Sequence, residues 1–218
     1  MLDKIAGTTD NEISDILLKN YKKKGAKFKL SCKVTSVGSD SVTYEEKGES
    51  KTIAADKVLV SIGRKPFVDG IGLESIGVYT ERGAIVTDDN LRTNIAGVYA
   101  AGDVNGKWML AHTAYRESEV AVNHMLGKRD IMRYNAIASV IYTSPEVACV
   151  GETEESAKTK GMDVQTARVS MRMSGRYMAE VEGGNGIAKL IVDKKYNRLV
   201  GVHLIGSYTS EIIYAGSV

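Results

Sequence analysis

Apolar positions first recur at helical spacing between Asp10 and Lys24, where Ile13, Ile16, Leu17 and Tyr21 share one face. Thr9 and Glu12 have the spacing of a capping box, Lys22–Lys24 suit the negative end of the helix dipole, and Gly25 can supply a left-handed stop. The period then changes. Short strands are expected at Lys27–Val37, Ser41–Glu46 and Ser50–Ile53, separated by the turn signals GSD and EKGE, as in an antiparallel meander. KVLVSIG, residues 57–63, reads as a compact strand of the buried type. From Arg64 to Thr93 the pattern is irregular and rich in glycine, a long connection with a short hairpin near GVYTERGAIVT.

GVYAAGDV, residues 97–104, reads as a second short buried strand, followed by a helix from about Met109 to Leu126 that stops at Gly127. Beyond Arg133 the strand candidates are IASVIYT, EVACVG, VQTARVS, GIAKLIVD and LVGVHLIG, the last two joined by the hairpin signal KKYNR. A short helix, TEESAKTK, has Thr153 as cap and Gly161 as stop. SYTSEIIYAGSV resembles the first turns of an amphipathic helix. The second half thus reads as an α+β domain on an antiparallel sheet. Both chain ends read as cuts: Met1 lies just upstream of a helix with no strand before it, and Val218 ends inside an element.

Composition narrows the function classes. A net charge of +2 over 218 residues is too weak a field to argue for nucleic acid, an acidic substrate or an anionic membrane. No apolar run approaches the roughly 20 residues that span a bilayer, and no signal-peptide core opens the chain, so the cytoplasm is expected. Cys32 and Cys149 are far apart and each sits in a strand-like stretch, where a small buried hydrophobe is the expected role. No metal site is assigned.

One segment stands out chemically, GVYAAGDVNGKWMLAHTA, residues 97–114. A buried strand would deliver Asp103 to its carboxyl end, where ligands of α/β sheets usually sit. Six residues later a helix opens, and its first N–H groups have no intrahelical partners. A carboxylate there can hold a polyhydroxy ligand while the N–H groups receive a negatively charged oxygen. The alternative reading is that Asp103 simply caps a turn. Of the three histidines, His112, His124 and His203, none is assigned a catalytic role.

TNIAGVYAAGDV with MLAHTA resembles the second flavin-binding motif of the pyridine nucleotide–disulfide oxidoreductases. SIGRKPF and GAIVTDDNLRTN resemble the stretch leading into it, and IYTSPEVACVGETEESAK the opening of that family's dimerisation domain. Within the family, MLAH is similar to dihydrolipoamide dehydrogenases. The resemblance implies remnants of FAD- and NAD-binding Rossmann-like domains, α/β in class, followed by an α+β dimerisation domain. The implied boundaries are 1–64 for a partial NAD-binding domain, 65–130 for a connection and partial FAD-binding domain, and 131–218 for a dimerisation domain truncated at its end. Asp103 is implied to accept hydrogen bonds from the ribityl or phosphate end of FAD, and Met109, Leu110, Ala111 and His112 to approach its ring. Val34 and Gly63 match positions lining the NAD site.

The resemblance implies an enzyme that oxidises dihydrolipoyl groups through a C-x4-C disulfide and FAD to NAD. It also implies a homodimer formed through residues 133–218 and a place in a 2-oxoacid dehydrogenase or glycine cleavage complex. The C-x4-C pair, both glycine fingerprints and the closing H-P-x-x-S-E segment are missing from these 218 residues. An inactive, colourless fragment that binds neither cofactor is therefore expected. Mercuric reductase, a soluble transhydrogenase and a stand-alone dimerisation module are the alternatives.

Overall fold

In the computed structural model, which describes residues 2–217, helix α1 spans Asn11–Lys23. Its cap is Asp10 rather than Thr9: the Asp10 carboxylate accepts the Glu12 N–H at 3.1 Å. An aspartate one residue closer to the helix satisfies the free N–H and adds a negative charge at the positive end of the dipole. Gly25 follows with φ +91°. Strand β1, Lys33–Val37, is shorter than its alternation suggests, because Ser31 turns the chain at φ +55°. Cys32 therefore precedes the strand, half-buried, with its thiol near the Leu30 carbonyl and the Glu46 carboxylate. Strands β2, Ser41–Glu46, and β3, Glu49–Ala54, complete an antiparallel meander in the order β1-β2-β3.

The expected strand at 57–63 does not form. Leu59 is 90% exposed and Ile62 95% exposed, and no described residue pairs with this segment. Its Val-Leu-Val-Ser-Ile pattern suits a strand covered on both faces, but a strand exists only where a neighbour takes its backbone groups.

The chain packs as two compact units, residues 2–60 with 138–217, and residues 61–137. Met1 and Val218, where cuts were expected, lie outside the described residues. The 61–137 unit contains the expected hairpin, β4 Thr80–Glu81 with β5 Ala84–Ile85, and helix α2, Ala111–Met125. The expected strand at 97–104 is reduced to one bridge, Arg92 to Tyr99. Val78, Ile85 and Ala100 form one apolar cluster, and Leu91, Val120, Ala121 and Met132 a second beneath α2.

In the other unit, β6 Ser139–Ile141, β7 Glu146–Gly151, β8 Val164–Ser170, β9 Ile187–Asp193 and β10 Arg198–Gly206 form an antiparallel sheet ordered β6-β7-β10-β9-β8. Cys149 lies within β7, as expected. Helix α3, Glu154–Thr159, carries a full capping box between Thr153 and Ser156. Two short helices follow, α4 Gly175–Glu180, which the pattern did not reveal, and α5 Thr209–Ile212. Because strand side chains alternate, the sheet has two apolar faces. Ala148, Val150, Val202 and Leu204 meet Ile213 on one side, and Val147 and Ile205 meet Ile13 and Leu17 of α1 on the other.

Lys189 of β9 points to the α1 side and is 2% exposed. Its ammonium lies 3.0 Å from both Asp10 carboxylate oxygens and 2.9 Å from Glu154. Burial opposes the Lys189 charge, but Glu154 and Asp10 overcome it and raise its pKa. Lys158 and Lys189 together hold Glu154 at about 2. His203, opposite Lys189 on β10, is buried with Nε2 2.7 Å from the Glu152 carbonyl oxygen.

Two measurements follow from these buried groups. Removing one member strands the opposite charge, so Lys189→Met should lower unfolding free energy by about 3–5 kcal/mol in urea titration. A loss below about 1 kcal/mol would show that Asp10 is already solvated. Burial lowers the His203 pKa below 6.5, despite the opposing pull of the Glu152 carbonyl. The neutral ring is therefore favoured in the folded state. The associated stability is complete above pH 6.5 and lost as pH falls below it. Unfolding midpoints should drop across that window in the native chain and drop less in His203→Gln; equal drops would contradict the assignment.

Candidate functional site

The turn at residues 100–106 is built on Gly102. Its backbone, φ +83° and ψ −161°, lies in a region that only glycine occupies readily. A Cβ there would stand 3.3 Å from the Ala114 side chain. Gly102 thus lies against the first turn of α2, and Asp103, the next residue, opens a 3-10 turn through Asn105 beside it. The Asp103 side chain is exposed, and among the described residues no hydrogen bond or ion pair engages its carboxylate.

Helix α2 opens at Ala111, two residues later than its pattern suggests. Met109 precedes it, Leu110 is its cap residue with extended backbone, and Ala111 and His112 are its exposed first positions. No side chain caps this end and no acidic residue stands in its first turn. Among the described residues, its first N–H groups therefore have no side-chain cap. Asp103 and Met109–His112 are all brought to this end of α2. Asn105 Nδ2 and Thr113 Oγ1, both buried beside these residues, lack a hydrogen-bond partner among the described residues.

Sequence reasoning missed Glu117. It is fully buried on α2 in the stripe Thr113, Glu117, Val120 and Ala121. One carboxylate oxygen accepts the Gly102 N–H at 2.5 Å, and the other accepts the Tyr134 hydroxyl at 2.7 Å. Burial, then the neighbouring Glu117 carboxylate, pushes the Tyr134 phenol far above its usual range. The available signal was a glutamate interrupting an apolar stripe. His124 on the same helix contacts the Tyr99 hydroxyl at 2.8 Å, a packing role.

Val34 and Gly63 are positioned differently. Val34 lies on β1, 58% exposed, paired with Tyr44. Gly63 has φ +116° in the exposed segment that forms no strand. An apolar side chain and a bare glycine supply contact surface but no phosphate-binding loop.

The family profile described as pyridine nucleotide-disulphide oxidoreductase matches residues 1–118, and that family's dimerisation-domain profile matches residues 137–218. The chain belongs to the pyridine nucleotide-disulphide oxidoreductases. It is 36% identical over 221 residues to mitochondrial dihydrolipoyl dehydrogenase of Pisum sativum, covering 98% of this chain and 44% of the relative. Dihydrolipoyl dehydrogenase of Corynebacterium glutamicum is 37% identical, with coverage of 97% and 47%. The HOCl-induced flavoprotein disulfide reductase RclA of Escherichia coli superposes with a TM-score of 0.84 at 25% identity, covering 99% of this chain and 50% of that one. The chain spans about half the length of these relatives.

In this chain the Asp103 turn and the start of α2 fall within the first profile. The Lys189 cluster joins the two profiles, since Asp10 belongs to the first and Lys189 and Glu154 to the second. No helix among the described residues is long and apolar enough to cross a membrane, and no cluster of potential metal ligands is present among them.

Gly102→Ala tests the turn. The backbone region and the contact with Ala114 should together cost about 1–3 kcal/mol, read as a lower thermal midpoint. An unchanged midpoint would mean that the turn readily takes another conformation.

Proposed function

We propose that Asp103 and the opening of α2 hold one edge of FAD in a dihydrolipoyl dehydrogenase-type oxidoreductase. The observation that carries this reading is the unengaged Asp103 carboxylate, set by Gly102 beside an uncapped helix start in a chain of this family. The donor set suits the group. A carboxylate can accept from ribityl hydroxyls, and the helix start can face negative charge on the ring. The Asn105 amide nitrogen and the Thr113 hydroxyl, both buried, lack a hydrogen-bond partner among the described residues.

A bound FAD would supply electron-pair transfer between a dithiol and NAD. This chain's share is binding and orientation. Asp103 fixes the hydroxyl-bearing end, while Met109, Leu110, Ala111 and His112 meet the ring edge. Val34 and Gly63 are assigned to the NAD approach as contact surface only. Residues 1–64 then serve as part of the NAD-binding domain, 65–130 as connection and part of the FAD-binding domain, and 131–218 as the dimerisation domain, through which two copies associate. In the whole protein the substrate is a dihydrolipoyl group, presented by a 2-oxoacid dehydrogenase or glycine cleavage complex in the cytoplasm.

Residues 1–218 alone are assigned no catalysis, because they contain no C-x4-C pair and no G-x-G-x-x-G loop. Their flavin contacts sum to roughly 5 kcal/mol, against an association cost of about 4–15 kcal/mol, so binding should be millimolar or weaker.

Trp108 is the sole tryptophan and adjoins Met109, so its indole N–H gives one unambiguous NMR signal. Millimolar FAD should shift that signal and the Asp103 amide, and Asp103→Ala should abolish both shifts. Shifts elsewhere with these two unmoved would refute the site.

A further inference from the structure

We propose that Glu117 is the positioning residue of this site: it selects the conformation of the Gly102–Asp103 turn and thereby places the Asp103 carboxylate. Its bearing on FAD rests on the reading above.

Glycine at Gly102 gives the turn access to many backbone states, and the observed one is not favoured by any side chain of its own. What singles it out is the Gly102 N–H, which points at a carboxylate on the facing helix, 2.5 Å away. That carboxylate is itself fixed. It is fully buried, and its second oxygen holds the Tyr134 hydroxyl at 2.7 Å, so it cannot rotate without leaving a buried donor unpaired. Burial and Glu117 both oppose ionisation of the Tyr134 hydroxyl, which donates to the carboxylate. Its ring in turn carries the Lys107 ammonium, 5.2 Å from the centroid. Lys107, Tyr134, Glu117 and Gly102 therefore form one continuous support. Glu117 does not contact the ligand position: both of its oxygens are occupied, and it acts through Gly102.

The test is Glu117→Gln in the full chain. A glutamine is neutral and has one acceptor oxygen in place of two: if that oxygen keeps the Gly102 N–H the bond loses its charge assistance, and if it turns to the Tyr134 hydroxyl the Gly102 N–H loses its acceptor. Hydrogen exchange at the Gly102 amide should quicken by at least about tenfold, the worth of one charge-assisted hydrogen bond. The Asp103 amide and Trp108 indole signals should move with it. Val120→Ala loosens the same helix away from the turn and should leave those two signals in place, which separates positioning from general loss of packing. Gly102 exchange that stays within about twofold of the native rate in Glu117→Gln would overturn the proposal, since a buried charge-assisted bond cannot be lost so cheaply.

If Glu117→Gln does not fold, Tyr134→Phe decides: it keeps the Gly102 bond but frees the carboxylate to rotate. A smaller quickening supports the proposal, and none overturns it. The FAD arm is separate. With Glu117→Gln, more FAD should be needed to shift Trp108. A native chain showing no FAD-induced shift would remove the flavin reading, while the ligand-free Gly102 result would still stand or fall by itself.

Discussion

A backbone N–H or C=O withdrawn from water must find a partner, and this rule decides which apolar segments become strands. VQTARVS, GIAKLIVD and LVGVHLIG lie side by side in one antiparallel ladder, and each supplies the next with acceptors and donors. KVLVSIG has equal apolar character and stays outside every sheet, with Leu59 and Ile62 turned to solvent. The difference lies in the neighbours. A strand buried on both faces of a mixed sheet has no independent existence, whereas consecutive hairpins carry their partners with them.

Buried charge follows a comparable rule, and both instances here sit at structural joints. Lys189 is tolerated inside because Asp10 and Glu154 surround it, which ties α1 and α3 to the sheet. Glu117 is tolerated because a backbone N–H and a phenol take its two oxygens, which ties the Asp103 turn to α2. In each case removing one partner leaves the other uncompensated in a medium of low dielectric. The first joint connects segments matched by two different profiles of the family. The second sits behind the residues assigned to the cofactor.

The arrangement separates contact from support. Asp103 and the first positions of α2 are exposed, and no side chain among the described residues caps that helix start. Behind them, Gly102, Ala114, Glu117 and Tyr134 are packed and hydrogen-bonded, so the exposed carboxylate projects from a rigid base. Such division is how a loop residue gains positional accuracy that its own backbone cannot supply.

Local pattern was sufficient for every element that satisfies itself locally. The amphipathic stripe of α1, the Thr153 cap, the meander, the second-half strands and their hairpin were all legible, because helix bonds and hairpin pairings close within a short stretch of chain. The segment around Asp103 was legible too, since glycine and a helix start leave marks in the sequence. Elements and groups whose partners are distant were not. The segment 57–63 and the strand expected at 97–104 depended on ladders that the pattern could not supply. The capping Asp10 carboxylate also meets Lys189, 179 positions away. Glu117 and His203 take partners that no local pattern marks, the Gly102 N–H and the Glu152 carbonyl. The sequence by itself determined the local periods, the turns and the kind of chemistry present. Only the tertiary structure decided which buried polar groups meet, because that depends on distances between residues far apart in the chain.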